Sequence, residues 1–340
     1  MKKKVTSILL IAFMVLGILG VTACSNKTTK KESKNDTNVE KSDKNSHYPV
    51  TITTYNYAKK PIKVTFDKAP EKVLAVYQNS VETLLGLGLE DKIVAAAALD
   101  HDVKPEYKEA FKKLKYYKKR PTKEEVVGMQ PDFILGWYSL FKEKRLGDVD
   151  FWHEKGINTY ISQNSGVKKP NTLQNEYDDI LNMGKIFNVE DKANKIVDNM
   201  KKEIKKAKDF VKGKEKVKTV ILEVEKDGVY RVYGEDSIGG DVAKQVGADL
   251  VANKNGSIGN EDLVKLNPDV IFTVYYGDEI DKNTAVNKFL QNKGLSSVSA
   301  IKSKRVNPIM LSEVYSSGIR TLDGIKTITK GLYKDLKDAK

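Results

Sequence analysis

One block of sequence occurs twice in this chain, and that duplication restricts the fold more than any other feature. Glu124-Glu125-Val126-Val127-Gly128-Met129-Gln130-Pro131-Asp132-Phe133-Ile134-Leu135 and Glu261-Asp262-Leu263-Val264-Lys265-Leu266-Asn267-Pro268-Asp269-Val270-Ile271-Phe272 follow the same pattern, without a gap, at an offset of 137 residues (Glu124 to Glu261). Two acids come first, then two apolar residues, a spacer, Pro-Asp and an apolar run. Acids in a first turn complement the positive end of a helix, Pro-Asp sets a turn, and the apolar run reads as a buried strand. Thr122 with Glu125 adds a capping-box pattern to the first copy.

The flanking sequence extends the pattern. Residues 72–77 and 92–97 read as strands around a helix from Ser80 to Gly86. In the second half a strand over 218–224 precedes a helix that Asp236-Ser237 opens and that ends near Gly247. Strands alternating with helices predict an α/β fold, here two Rossmann-like lobes with central parallel sheets. Between them lies the longest helical pattern in the chain. Asn188 and Asp191 cap its start, Ala193, Ile196, Val197, Met200, Ile204, Ala207 and Val211 follow at steps of three and four, and Gly213 ends it. About 24 residues would span roughly 36 Å, enough to join the lobes as one rod and to limit them to small relative motions.

The N-terminus carries a different signal. Lys2, Lys3 and Lys4 precede an uncharged apolar run from Val5 to Leu19, then Gly20-Val21-Thr22-Ala23-Cys24. That order reads as a secretory signal peptide over 1–23. Val21-Thr22-Ala23-Cys24 resembles the lipobox of bacterial lipoproteins, which implies lipidation of Cys24, the only cysteine, and a Gram-positive-type lipoprotein on the extracytoplasmic face of the cell membrane. The competing expectation is an uncleaved anchor, since Val5 to Ala23 is about long enough to cross a bilayer. Residues 25–48 are almost wholly Ser, Thr, Asn, Lys, Asp and Glu, and a stretch that buries so little is expected to be a disordered tether, its lysines suited to anionic head groups. The expected organisation is therefore leader 1–23, tether 24–48, N-terminal lobe 49–187, linking helix 188–213 and C-terminal lobe 214–340. With no second cysteine the lobes must be held by packing alone.

Loss of the leader would lower the formal charge from +13 to +10. The lysines are interleaved with acids, as in Lys201-Lys202-Glu203-Ile204-Lys205-Lys206, which argues against nucleic acid as a partner and leaves anionic ligands open. Enzyme signatures are missing. Ser237 and Ser257 lack the first glycine of Gly-x-Ser-x-Gly, no Gly-x-x-x-x-Gly-Lys loop occurs, and Gly86-Leu87-Gly88 lacks a third glycine. No metal site is expected, because His47 falls in the tether and His101 and His153 form no ligand spacing. No cofactor is expected either. An axial ligand for haem could still come from Tyr, His or Met.

The order of these segments resembles a known family. Ala69-Pro70-Glu71-Lys72-Val73-Leu74-Ala75, Leu84-Leu85-Gly86-Leu87-Gly88-Leu89-Glu90-Asp91-Lys92-Ile93-Val94, the two Pro-Asp blocks and the central helix are similar to the helix-linked substrate-binding lipoproteins of ABC importers for iron–siderophores, haem and cobalamin. The resemblance implies that Glu124 and Glu261 each dock on one subunit of a permease dimer served by its ATPase, and that the loop with Tyr116, Tyr117 and Arg120 borders the ligand cleft.

In open parallel sheets, ligands bind beyond the carboxyl ends of the strands. Those ends here carry Tyr77, Trp137, Tyr138, Tyr275 and Tyr276, with Tyr230-Arg231-Val232-Tyr233 and Tyr315-Ser316-Ser317-Gly318-Ile319-Arg320 nearby. Aromatic faces beside the cations Arg120, Arg145, Arg231 and Arg320 suit a large, flat anionic or metal-chelate ligand. The tyrosines suit a core equally well, and the arginines suit structural ion pairs. The expected function is capture of an iron(III)–siderophore complex between the lobes and its delivery to an ABC permease. Haem, cobalamin or a host macromolecule are the alternative ligands.

Overall fold

The computed structural model describes residues 46–277 and 281–333; the leader, Cys24 and residues 25–45 of the tether lie outside them. The N-terminal lobe opens with an antiparallel hairpin, β1 (Val50–Tyr55) and β2 (Pro61–Phe66), with Val50 opposite Phe66. Its sheet comprises β3 (Val73–Val76), β4 (Ile93–Ala97), β5 (Tyr116–Tyr117), β6 (Phe133–Gly136) and β7 (Asn158–Ile161), all parallel in the order β5-β4-β3-β6-β7. Strands β3 and β6 are buried throughout, so their sequences are unbroken apolar runs rather than alternating ones.

The C-terminal sheet contains β8 (Val217–Lys226), β9 (Val229–Val232), β10 (Ala248–Leu250), β11 (Gly256–Gly259), β12 (Val270–Tyr275) and β13 (Val306–Met310). Strands β10, β8, β12 and β13 pair in parallel, giving the parallel centre that strand–helix alternation predicts. Strands β9 and β11 add an antiparallel edge that the alternation does not reveal. Its cause is local: Asp227-Gly228, with Gly228 at φ 67, closes a two-residue hairpin between β8 and β9.

The sequence repeat is a structural repeat. Helices Lys123–Met129 and Asn260–Leu266 each hold seven residues, each buries one apolar side chain (Val126, Leu263), and each ends in a left-handed residue, Gln130 at φ 49 and Asn267 at φ 41. A buried proline then leads into β6 or β12. The backbone N–H of Asp132 donates to Lys72 O and that of Asp269 to Lys218 O, which ties each turn to the neighbouring β3 or β8. Thr122 and Glu125 form the expected capping box.

The linking helix runs from Glu190 to Val211, 22 residues, or about 33 Å. Ala193, Val197, Met200, Ile204 and Ala207 are its buried stripe. Asn188 does not cap its start, contrary to expectation. It closes the preceding helix Leu173–Phe187 in the left-handed conformation at φ 54, and Val189 stands at the N-cap instead. The last residues assigned to the tether are also docked rather than loose. His47 Nε2 lies 2.7 Å from Lys185 O, its Nδ1 3.4 Å from Glu190, and Tyr48 donates its hydroxyl proton to Ile186 O.

Leu84 and Ile180 of the first lobe, Val197 and Met200 of the linking helix, and Ile221, Ile238 and Ile325 of the second lobe belong to one continuous apolar core. The lobes are thus joined by shared packing as well as by the rod. Two further clusters fill the outer face of each sheet. Among the described residues no helix is long and apolar enough to cross a membrane.

Candidate functional site

The carboxyl ends of both sheets face one seam, and the aromatic residues expected there divide into three groups. Tyr77 follows β3 at φ 77 and stacks on Trp137, which follows β6, with centroids 4.3 Å apart and planes 14° from parallel. Trp137 in turn meets Tyr315 of the second lobe edge-on at 5.3 Å. Its indole N–H donates to Asn79 Oδ1 at 2.6 Å, and Asn79 Nδ2 donates to Ser162 Oγ on its own side and to Ser316 Oγ across the seam. Arg145 Nη1 donates to the Tyr77 hydroxyl at 3.2 Å and to Ser139 O at 3.0 Å, which fixes it at the edge of the stack. Four of the expected residues are therefore brought together: Tyr77, Trp137, Arg145 and Tyr315.

A second group lies on the β8–β9 hairpin. Tyr233 donates its hydroxyl proton to Glu223, whose carboxylate stands 3.7 Å from Arg231 Nη1, and the guanidinium lies 5.1 Å from the Tyr233 ring centroid. Burial and then the Glu223 charge push the Tyr233 phenol far above its ordinary range. Tyr276 is 47% exposed, and Glu223 is the first cause that raises its phenol. Arg231, Tyr233, Ser237, Asn255 and Tyr315 line a cavity of about 340 Å³ with Asn171 of the first lobe. Both lobes thus contribute to one hollow.

The third group is scattered. Arg320, expected in the cleft, is buried and its nitrogens are occupied. Nε and Nη2 grip the two oxygens of Glu82, Nη2 also donates to Asp102 O, and Nη1 reaches Met310 Sδ. Glu82 is fully buried, so each charge is the other's counter-ion. Tyr138 turns away from its neighbour Trp137 and stacks on Tyr57 at 4.7 Å, with Lys59 Nζ 4.9 Å from its ring. Tyr275 is half-buried at the end of β12, near the charges of Glu313 and Arg320. Arg120 is exposed and its charge acts on Asp100, whose carboxyl is raised by burial and lowered by His101 and Arg120.

Sequence reasoning missed the polar residues that hold the seam. Glu176 accepts the backbone N–H groups of Ser317 and Gly318 at 3.0 and 2.7 Å, and Asn164 Nδ2 at 2.7 Å. Gly318 has φ 54, and a Cβ there would stand 2.5 Å from Thr83 Oγ1. His101 Nε2 lies 2.6 Å from Ser312 Oγ, and its Nδ1 2.9 Å from Asp102 O; a carbonyl can only accept, so Nδ1 carries the proton. Burial lowers the pKa of this imidazole. Only the acid of Glu82 inside an apolar helix, Val81-Glu82-Thr83-Leu84-Leu85, could have signalled a buried pair. Among the described residues no group of three or more His, Cys, Asp or Glu could hold a metal ion.

Two α/β lobes and a helical rod are shared with known proteins that are similar to this chain. The model of the periplasmic binding protein family matches residues 73–309. The chain belongs to that family. It is a binding protein, not an enzyme. A periplasmic binding protein from Veillonella parvula, known from its crystal structure, is 34% identical over 85% of this chain and 92% of its own, with a TM-score of 0.80. From Bacillus subtilis, the uncharacterized ABC transporter substrate-binding lipoprotein YvrC is 28% identical over 95% of this chain and 96% of its own. The petrobactin-binding protein YclQ of the same organism is 26% identical over 94% of each.

Proposed function

We propose that this binding protein captures an iron(III)–siderophore complex between its lobes and delivers it to an ABC permease. The observation that carries the reading is the Tyr77–Trp137–Tyr315 assembly, which draws on both lobes and stands beside Arg145 and Arg231 at the strand ends. Aromatic faces with nearby guanidinium donors recognise a bulky chelate by stacking and by hydrogen bonds to its oxygens. The absence of a metal-ligand cluster among the described residues suits iron that arrives with its own ligands. The names of the relatives, one for petrobactin and one for an ABC transporter, support the same class. Glu124 and Glu261 are exposed at matching positions of the two repeated helices, which suits docking on a two-fold permease. Lipidation of Cys24 would hold the protein at the extracytoplasmic face.

Tryptophan fluorescence titration against ferric siderophores, haem and cobalamin tests the reading. Quenching by a ferric siderophore that is strongly reduced in Trp137→Phe is the expected result. A response to haem or cobalamin alone would move the ligand to that class, and no response to any of them would sink the chelate reading.

A further inference from the structure

The register of the β8–β9 hairpin decides the charge of the second wall of the cleft. Glu223 and Arg231 are direct cross-strand partners, and Nη1 lies 3.7 Å from the carboxylate. Opposite charges this close cancel at the distance of an incoming ligand, so Arg231 offers donors but little net field. Glu225 lines the same cavity as Arg231 and accepts the hydroxyl proton of Ser257 at 2.7 Å. On the first lobe, Arg120 couples to Asp100, and Arg145 is held at the Tyr77 hydroxyl and Ser139. The charged side chains that line the cavity itself are one acid, Glu225, and one cation, Arg231, so that hollow is neutral although the chain carries +13.

Resting on the chelate reading above, we propose that the ligand is an electrically neutral iron(III) chelate of the tris-hydroxamate class, and that Glu223 is the residue that sets this preference. Three singly charged hydroxamates cancel the charge of iron(III), whereas three doubly charged catecholates leave a trianion. A trianion entering the cavity would meet Glu225, with the Arg231 charge already cancelled by Glu223, and would be desolvated without a counter-charge. A neutral chelate escapes that repulsion. Its oxygens accept hydrogen bonds from amide donors such as Asn255, and its apolar rim packs on Trp137 and Tyr315.

The test titrates the full chain by tryptophan fluorescence with a linear ferric tris-hydroxamate and with a ferric tris-catecholate, each at low and at physiological salt. The hydroxamate is expected to bind at least about a hundredfold more tightly, with little dependence on salt. Glu223→Gln should shift the ratio of hydroxamate to catecholate affinity about tenfold or more towards the catecholate. Glu225→Gln, an exposed position, should shift the ratio the same way and serves if the first variant does not fold. Catecholate binding as tight as hydroxamate binding in the native sequence, or a ratio unmoved in the folded variants, overturns the assignment while leaving the chelate reading intact. If neither chelate binds a folded native chain, the chelate reading falls and this assignment falls with it.

Discussion

The deep seam and the outer cleft use the same kinds of side chain to opposite ends. In the deep seam Arg320 and Glu82 are 6% and 0% exposed and bind each other through two hydrogen bonds, and Glu176 is fully spent on Ser317, Gly318 and Asn164. In the outer cleft the Arg231 side chain is 47% exposed, and Trp137 is half-buried with Tyr rings on its face and edge. The first arrangement spends both carboxylates and the guanidinium on partners inside the protein and joins the lobes. The second keeps donors and aromatic surface available to a ligand. Burial, rather than residue type, separates a structural arginine from one that can bind.

Breaking the buried pair should give the largest effect. Glu82→Ala leaves the Arg320 charge without a partner and is expected to cost about 3–5 kcal/mol in denaturant unfolding. A loss below about 1 kcal/mol would mean that water reaches the seam, and the contrast with the cleft would fail. Titration probes the same region. Burial, and then Glu176, push Asp179 from an ordinary 3.8 to about 8. The folded state then keeps a proton that the unfolded state releases, so stability should fall as pH rises from about 4 to about 8 and level off above. Asp179→Asn should flatten that slope; an unchanged slope in thermal melts across the range would place the titration elsewhere.

The outer cleft predicts smaller losses of a different kind. Trp137→Ala removes the ring between Tyr77 and Tyr315 and should weaken chelate binding about thirtyfold, roughly 2 kcal/mol, in a calorimetric titration. Unchanged affinity would separate the aromatic assembly from the ligand. At the lobe tips, Glu124→Ala and Glu261→Ala should each cost only about 0.3–1 kcal/mol through lost helix-start stabilisation, with ligand affinity unchanged and uptake abolished in the double variant. Reduced affinity would put them in the pocket instead.

Local patterns carried most of the fold. The Pro-Asp blocks, the apolar runs of β3 and β6 and the stripe from Ala193 to Ala207 are spacings of two kinds, helical and extended, and each is visible in the chain itself. The antiparallel β9 was signalled only by Asp227-Gly228, which lies inside an otherwise α/β pattern. Asn188 misled because a left-handed asparagine ends one helix where the next begins. Among the site residues, adjacency in sequence gave no guide to direction. Trp137 and Tyr138 are neighbours, yet a 3-10 turn from Tyr138 to Phe141 sends one to the seam and the other to Tyr57.

By itself the sequence determined the duplicated α/β architecture, the joining helix and the set of aromatic strand ends, because periodicity and turn chemistry act over a few residues. The tertiary structure alone decided which charges are paired. Glu82 with Arg320 and Glu176 with Ser317 and Gly318 lie 238, 141 and 142 residues apart. No local pattern encodes such partners; they are chosen when the two lobes close on one core and each buried charge must find its counter-charge or donor.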